Sequence, residues 1–455
     1  MDTEGVIFLQ RMKAIEDERL EMYRRHWDYY RGQHKAMLPI RSGQPDDNVR
    51  INVTKVVVDQ SVAFLFGKDV GFQLQEGEQT PEEEALAVCW RRNRKMTLLN
   101  EIGITGSLCG HVFVKLIPEY ATDGEGTDRP IEWVRLVNIQ PEYMSVRWNQ
   151  QDVSEAEQFV IQWTEETEDG KALDRRQVIQ KDDAGKWGLT HEIARGAQGW
   201  RADPDNPPID WPWDWPPISH CQNLIAPSSF YGFSDLEGLE LQDAINYVAS
   251  KVQRITRYHA HPKSIGKGFN VNQLSQREDE MIVLPDPESD LWNLEMKSDL
   301  SGTMAYLDRL INWCMAVARI PRIDPAVINV GALSGFALRV LYGDLLRKTN
   351  VKRCTYGDML TEINAHMLEM MGHGEELVTT LHWQDPLPSN PLESVEALLK
   401  ERELGTVSKE TAAVSLGRDW ETEQERLANE AANEDTIGAR MLRAFEQRPE
   451  AAQPR

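Results

Sequence analysis

Residues 230–263 read FYGFSDLEGLELQDAINYVASKVQRITRYHAHPK, and the fold class turns on this stretch. Ser234-Asp235-Leu236-Glu237 has the form of a capping box, a hydroxyl and an acid spaced to satisfy the first free N–H groups of a helix. Leu239, Leu241, Ile245, Val248, Val252 and Ile255 then recur near the helical period, which predicts a long helix to about Tyr258. His261-Pro262 breaks it.

Downstream, Lys263 to Asp299 is a Gly- and Asn-bearing excursion with a short apolar strand expected at Met281–Leu284. A second helix is predicted from about Thr303 to Arg319, stopping at Pro321. Pro321 to Leu333 reads as a loop, and a third, unusually long helix follows from Ser334 to about Met371, with Gly343 and Gly357 as candidate kinks. Asn390-Pro391-Leu392-Glu393 opens an acidic helical tail that fades near Arg448.

Upstream, the first forty residues have helical spacing and end near Gly32. Val49 to Phe66 fits either a strand or a buried helix, and its length favours a helix. Thr80-Pro81-Glu82-Glu83 is a helix start with a capping residue, a first-turn proline and an acid placed to return a bond. A second helical stretch, Leu98 to Cys109, passes through Gly110 into a strand, His111 to Ile117. From about 130 to 195 the period changes to two, with turn signals at Asp169-Gly170 and Asp183-Ala184-Gly185, which predicts an antiparallel meander. The Trp/Pro stretch 211–217 reads as a loop packed on a domain edge. The class is α+β, predominantly α.

With 41% hydrophobic and 27% charged residues the chain has a globular balance. No apolar run is long enough to span a bilayer, and the opening MDTEGVIFLQRMK does not read as a signal peptide, so no membrane partner and a cytoplasmic origin are expected. Cys89, Cys109, Cys314 and Cys354 lie in apolar or helical stretches and are expected as buried, reduced thiols. No Cys/His cluster with zinc spacing occurs, so neither metal nor cofactor is expected.

The formal net charge is −23, which argues against a protein that grips nucleic acid by neutralising phosphates. Charge is nevertheless segregated: from Ala244 through Arg277 there is no Asp or Glu, while Lys251, Arg254, Arg257, Lys263, Lys267 and Arg277 fall there. Lys251, Arg254 and Arg257 sit at helical three-to-four spacing, giving a stripe that suits either DNA or a partner's acids. A second island comprises Arg339, Arg347, Lys348, Lys352 and Arg353. Residues 393–435 are acid-rich in turn. Within the loop, Val327, Ile328, Asn329, Val330, Gly331, Ala332 and Leu333 carry no charge. The phosphate-binding G-x-x-x-x-G-K-[ST] loop, the G-x-S-x-G elbow and H-E-x-x-H are all missing. The acid pairs Asp46/Asp47 and Asp203/Asp205 read as turn formers. No catalytic residue is assigned. A metal-dependent nuclease or other virion-associated DNA-processing enzyme using scattered carboxylates is the alternative, and a virion or scaffold protein without a lumen is a third.

The order of segments resembles the portal (head–tail connector) family of tailed double-stranded DNA bacteriophages. The resembling pieces are YYRGQH (29–34), RINVTKVVVDQSVAFLFGKD (50–69), ITGSLCGHVFVKLIP (104–118), FYGFSDLEGLELQDAIN (230–246), LSGFALRVLY (333–342) and WQDPLPSN (383–390). The resemblance implies a portal fold assembled as a dodecameric ring. Its parts are a wing (1–233), a first stem helix (234–259), a small α/β clip (260–300) and a second stem helix (301–320). A tunnel loop (321–333), a long kinked wing helix with a return strand (334–389) and a helical crown with a tail (390–455) follow. It further implies a non-enzymatic subunit at the capsid's unique vertex, assembled in the host cytoplasm and carried in the virion. Double-stranded DNA passes through the lumen, and the implied partners are the terminase large subunit, a head-completion adaptor, the tail, and the major capsid and scaffolding proteins.

Overall fold

The computed structural model describes residues 3–40, 42–43, 45–74, 80–121, 130–149, 151–167, 169–182, 184–195, 199–236, 238–260, 263–267, 288, 290–294, 300–322, 335–374, 377–387, 391–420 and 422–430. They fall into two compact units, Met1–Pro386 and Leu387–Arg455. Helix outweighs strand, and no sheet closes into a barrel.

The first unit begins with α1 (Thr3–Tyr30). Gly32, at φ +79°, ends it: its N–H donates to Tyr29 O and that of Gln33 to Asp28 O, a left-handed stop that favours glycine. Next comes α2 (Val53–Phe66), capped by Asn52 Oδ1 on Lys55 N–H at 2.9 Å. Val53, Val57, Val58, Val62, Leu65 and Phe66 are all buried, which makes the β-branched run a core helix rather than a strand. Short β1 (Val70–Gln73) leads to α3 (Pro81–Arg92), where Thr80 Oγ1 caps Glu83 N–H as expected. Then α4 (Lys95–Cys109) turns at Gly110 into β2 (His111–Tyr120).

The expected meander divides. The strand β3 (Ile131–Ile139) pairs with β2, which also pairs with β10 (Ile218–Gln222), giving a three-stranded antiparallel sheet. The remaining strands, β4 (Met144–Trp148), β5 (Ala156–Glu166), β6 (Ala172–Lys181), β7 (Trp187–Ala194), β8 (Arg201–Ala202) and β9 (Ile209–Asp210), form a separate antiparallel sheet.

The helix predicted from Ser234 starts later, as α5 (Leu239–Ala260). Ser234 Oγ accepts the Leu236 N–H in a local turn, and Gly238 at φ +83° delays the first helical residue. A hairpin of β11 (Lys263–Lys267) with β12 (Asp290–Leu294) follows; the strand expected at 281–284 lies outside the described residues. After it come α6 (Ser301–Val317), α7 (Gly335–Leu341) and α8 (Gly343–Met370). The long helix therefore breaks at Tyr342, beside the expected Gly343, while Gly357 lies unbroken within α8. Finally β13 (Thr380–Trp383) pairs with β1. In the second unit, α9 (Pro391–Glu403) and α10 (Lys409–Ser415) are helical.

The core of the first unit forms around α8. Tyr356, Met359, Leu360, Ile363 and Met367 are fully buried at helical spacing and face β2, β3, β10, α2 and α3. Four free cysteines, Cys89, Cys109, Cys221 and Cys314, are buried; Cys354 is exposed, because its side of α8 turns away from that stripe.

The chain crosses itself at two glycines. Gly110, at φ +85°, has the Gly232 carbonyl oxygen 2.4 Å from where a Cβ would stand, and a Cβ on Gly232 would lie 2.5 Å from Gly110 O. Both clashes are with backbone, which cannot swing aside. Gly232→Ala should therefore cost about 1–3 kcal/mol, read as a lower urea midpoint at unchanged slope, whereas Gly357→Ala, in open space, should be neutral or mildly stabilising.

Candidate functional site

The basic stripe of α5 lies within a polar ladder that grips residues 47–54. Gln242, Asn246 and Ser250 recur at i, i+4 on one face of α5. Gln242 Oε1 accepts the Val53 and Thr54 N–H groups (3.0 and 3.1 Å), and its amide donates to Ile51 O at 2.6 Å. Asn246 Oδ1 accepts the Ile51 N–H and Ser250 Oγ the Val49 N–H, both at 2.9 Å. Below them, Arg254 Nε and Arg257 Nη2 donate to one oxygen of Asp47, at 3.0 and 2.7 Å. Asp47 is buried, so the acid that read as a turn former is an ion-pair anchor. Asp46 keeps the turn role, accepting the Asn48 N–H.

Two of the three stripe residues thus spend charge inside the chain. Lys251 stands apart, its ammonium 5.3 Å from the Tyr247 ring centroid. Lys263 and Lys267 occupy the two ends of β11, opposite Leu294 and Asp290. The loop residues Val327, Ile328, Asn329, Val330, Gly331, Ala332 and Leu333 lie outside the described residues.

The second basic island is consumed more completely. Lys348 and Lys352 are 3% and 1% exposed, and both ammonium groups meet the buried carboxylate of Asp235, at 3.0 and 2.5 Å. Lys348 Nζ also donates to Ala318 O at the end of α6 (3.1 Å) and to Ser61 Oγ of α2; Lys352 Nζ reaches Ser107 Oγ of α4. Burial alone would raise the Asp235 carboxyl, but Lys352 and then Lys348 outweigh it and hold it well below the ordinary carboxylate range. Burial lowers Lys352 to about 8 against the pull of Asp235, with Lys348 adding repulsion. The rest of the island is paired at the surface: Arg339 with Asp385, Arg347 with Asp344 at 2.9 Å, and Arg353 with Gln384 O at 2.6 Å beneath the Trp383 ring.

The Trp/Pro stretch packs as read. Trp215 stacks on His366 with centroids 3.6 Å apart and donates to Glu369 at 2.8 Å; Trp211 is buried against its neighbours. Asp203 is held by Arg175 at 2.6 Å and accepts the Asp205 N–H. A cavity beside α8 is bordered by His220, Cys221, Asp358 and Glu362. Burial pushes the His220 imidazole down to about 3 and the Cys221 thiol well up. Among the described residues no three metal-ligating side chains converge, and no helix is long and apolar enough to cross a membrane.

A family model described as "Phage portal protein, SPP1 Gp6-like" matches residues 9–186 and 236–436. The chain belongs to that family. It is a bacteriophage portal protein, a head–tail connector subunit and hence a virion component. Among solved structures it is similar to a chain of "Neck of empty GTA particle computed with C6 symmetry", at 14% identity and TM-score 0.45, covering 81% of this chain and 90% of that one. No curated protein matches it.

Asp235, Asp47, Gln242, Asn246 and Ser250 are the organising residues of this portal chain, and only the i, i+4 polar row on one face of an amphipathic helix announces any of them in the sequence. Asp235→Ala leaves two buried ammonium groups uncompensated and should cost about 3–5 kcal/mol at pH 7, measured by urea unfolding. Because the folded-state value of Asp235 is depressed, its contribution is full above about pH 4 and is lost as pH falls through that depressed value. Replacing all three members with apolar residues of similar volume should be far milder than removing Asp235 alone.

Proposed function

We propose that this chain is the subunit of a dodecameric ring at the unique capsid vertex, through whose lumen duplex DNA is packaged and later ejected. Family membership across most of the chain carries the reading. In it, 1–233 forms the wing, 234–259 and 301–320 the stem, 260–300 the clip, 321–333 the tunnel loop, 334–389 the long helix with its return strand, and 390–455 the crown. The terminase large subunit and then the head-completion adaptor and tail dock on the ring, and the capsid and scaffolding proteins surround it. Host cytoplasm is the place of assembly. The subunit has no catalytic role, and motor power comes from a separate ATPase.

The charge arrangement supports a conduit over a grip. Affinity for DNA rises with the number of phosphates neutralised, yet Arg254 and Arg257 are engaged by Asp47, and Lys348 and Lys352 by Asp235, within the chain. At a net charge of −23, what remains toward a lumen is a surface along which duplex slides.

Particle images of the purified full chain should show rings with a central hole wide enough for duplex DNA; only monomers or two-fold dimers across salt conditions would refute the reading. Deleting Val327 to Gly331 should leave rings intact but impair DNA packaging or retention in an in vitro packaging assay, and unchanged packaging would overturn the tunnel-loop assignment. Lys263→Glu with Lys267→Glu should weaken terminase or adaptor capture more than ring formation, and equal capture would place docking elsewhere.

A further inference from the structure

The end of α3, the start of α4 and β1 enclose an open cavity of about 550 Å³. That size lies within the range of clefts that bury a compact ligand or a few side chains. Its floor is aromatic and held in place: the Phe72 ring stacks on buried Trp90 with centroids 5.1 Å apart, and Trp90 Nε1 donates to Asn364 Oδ1 at 2.7 Å. Half-buried Met96 and exposed Ala87 continue the lining.

The charges on its margin are unequally committed. Lys95 pairs with Asp69 at 2.9 Å, its ammonium 4.5 Å from the Phe72 centroid, and Glu83 accepts the Leu74 N–H at 2.5 Å. Arg92 does not line the groove and pairs with Glu132 at 2.6 Å. Arg91 and Arg94 both border the groove and are exposed, and neither side chain is ion-paired or hydrogen-bonded among the described residues. On a chain of net charge −23, the uncommitted charge here is positive. Arg94 also stands at φ +51°, with no side-chain cap on α4. Left-handed backbone is costly for a residue with a Cβ and is relaxed by glycine. The chain keeps an arginine there, where the reversal from α3 into α4 brings both helix ends to one groove.

We propose that this groove docks an acidic segment of another polypeptide, its carboxylates on Arg91 and Arg94 and one apolar side chain on the Phe72–Met96 floor. Guanidinium and carboxylate groups form charge-assisted, paired hydrogen bonds, and arginine and aromatic residues supply most of the energy at binding hot spots. A DNA duplex fits less well. Its phosphates have no use for an apolar floor, and a continuous row of them would run past Asp69, whose side chain is 58% exposed. The proposal goes beyond the ring reading and does not depend on it, because the groove is built within one copy.

Fluorescence anisotropy on the purified full chain tests it, with a labelled acidic peptide carrying one central tryptophan as the probe. Two control peptides carry lysine for each acid, or serine for the tryptophan. Saturable binding is expected for the probe alone, weakening as salt rises. Arg91→Glu with Arg94→Glu should weaken it by about thirtyfold or more. Ala87→Trp, which fills the groove from an exposed position, should abolish it. Both variants should keep the wild-type circular dichroism and melting temperature. Arg94→Gly should raise the melting temperature while weakening binding about fivefold, a split that a purely structural role for Arg94 does not give.

Equal binding of the lysine peptide, tighter binding of a short DNA duplex, or binding untouched by the charge reversal and by Ala87→Trp would overturn the proposal. Binding that appears only when Glu76 and Glu78 are replaced by glutamine would assign the two arginines to the chain's own connection between β1 and α3. Loss of probe binding on ring assembly would assign the groove to a neighbouring copy. Either result overturns the proposal and leaves the ring reading standing. A chain that binds the probe as expected yet never forms rings would sink the ring reading alone.

Discussion

Two ammonium groups share one buried carboxylate where α2, α4, α6 and α8 meet the entry to α5. Moving charges out of water is expensive, and a buried ion pair seldom adds net stability over apolar packing. Its physical consequence is selectivity: Lys348 and Lys352, one turn apart on α8, satisfy Asp235 only if α8 sits at one height and one rotation. The same lysines reach the last turn of α6 and side chains of α2 and α4, so a shift of any one element strands a charge. Geometry is thereby enforced across segments more than a hundred residues apart in sequence, at a junction that hydrophobic contacts alone leave free to slide.

The ladder on α5 follows the same logic with weaker groups. A segment laid against a helix must place its own N–H and C=O groups, and Val49, Ile51 and the first two residues of α2, Val53 and Thr54, do so on Gln242, Asn246 and Ser250. These bonds fix the register of the segment on the helix, because a slip of one residue moves every acceptor out of reach. Asp47 then locks the lower end by taking both Arg254 and Arg257. The helix whose basic stripe suited either DNA or a partner's acids is fastened along much of its length to the N-terminal part of the chain.

What was legible in the sequence was local. Thr80 ahead of Pro81 and Gly32 closing the first helix each act within one turn, so spacing alone exposes them. The family resemblance, carried by short colinear pieces, also survived the test of a family match over most of the chain. The destination of charge was not legible. Ser234-Asp235-Leu236-Glu237 has the letters of a capping box, but Asp235 is drawn to lysines 113 and 117 positions away, and Gly238 defers the helix. Likewise the division of the meander depends on β10 claiming the far edge of β2, a pairing across roughly a hundred residues that strand periodicity cannot encode. Periodicity finds elements; long-range electrostatics and strand competition decide how they are joined.

Net charge and exposed apolar surface oppose one another in such a subunit. At −23, copies repel at long range, yet that repulsion is screened within about 8 Å at physiological ionic strength. Apolar contact acts at shorter range and is insensitive to that screening. Copies of a chain with this balance therefore repel one another more strongly at low salt than at physiological salt. Within each copy, Arg254 and Arg257 meet on Asp47, and Lys348 and Lys352 on Asp235. Burying these cations in structural ion pairs therefore fixes the packing of the subunit, because each carboxylate is satisfied only when the helices that carry its partners stand in one register.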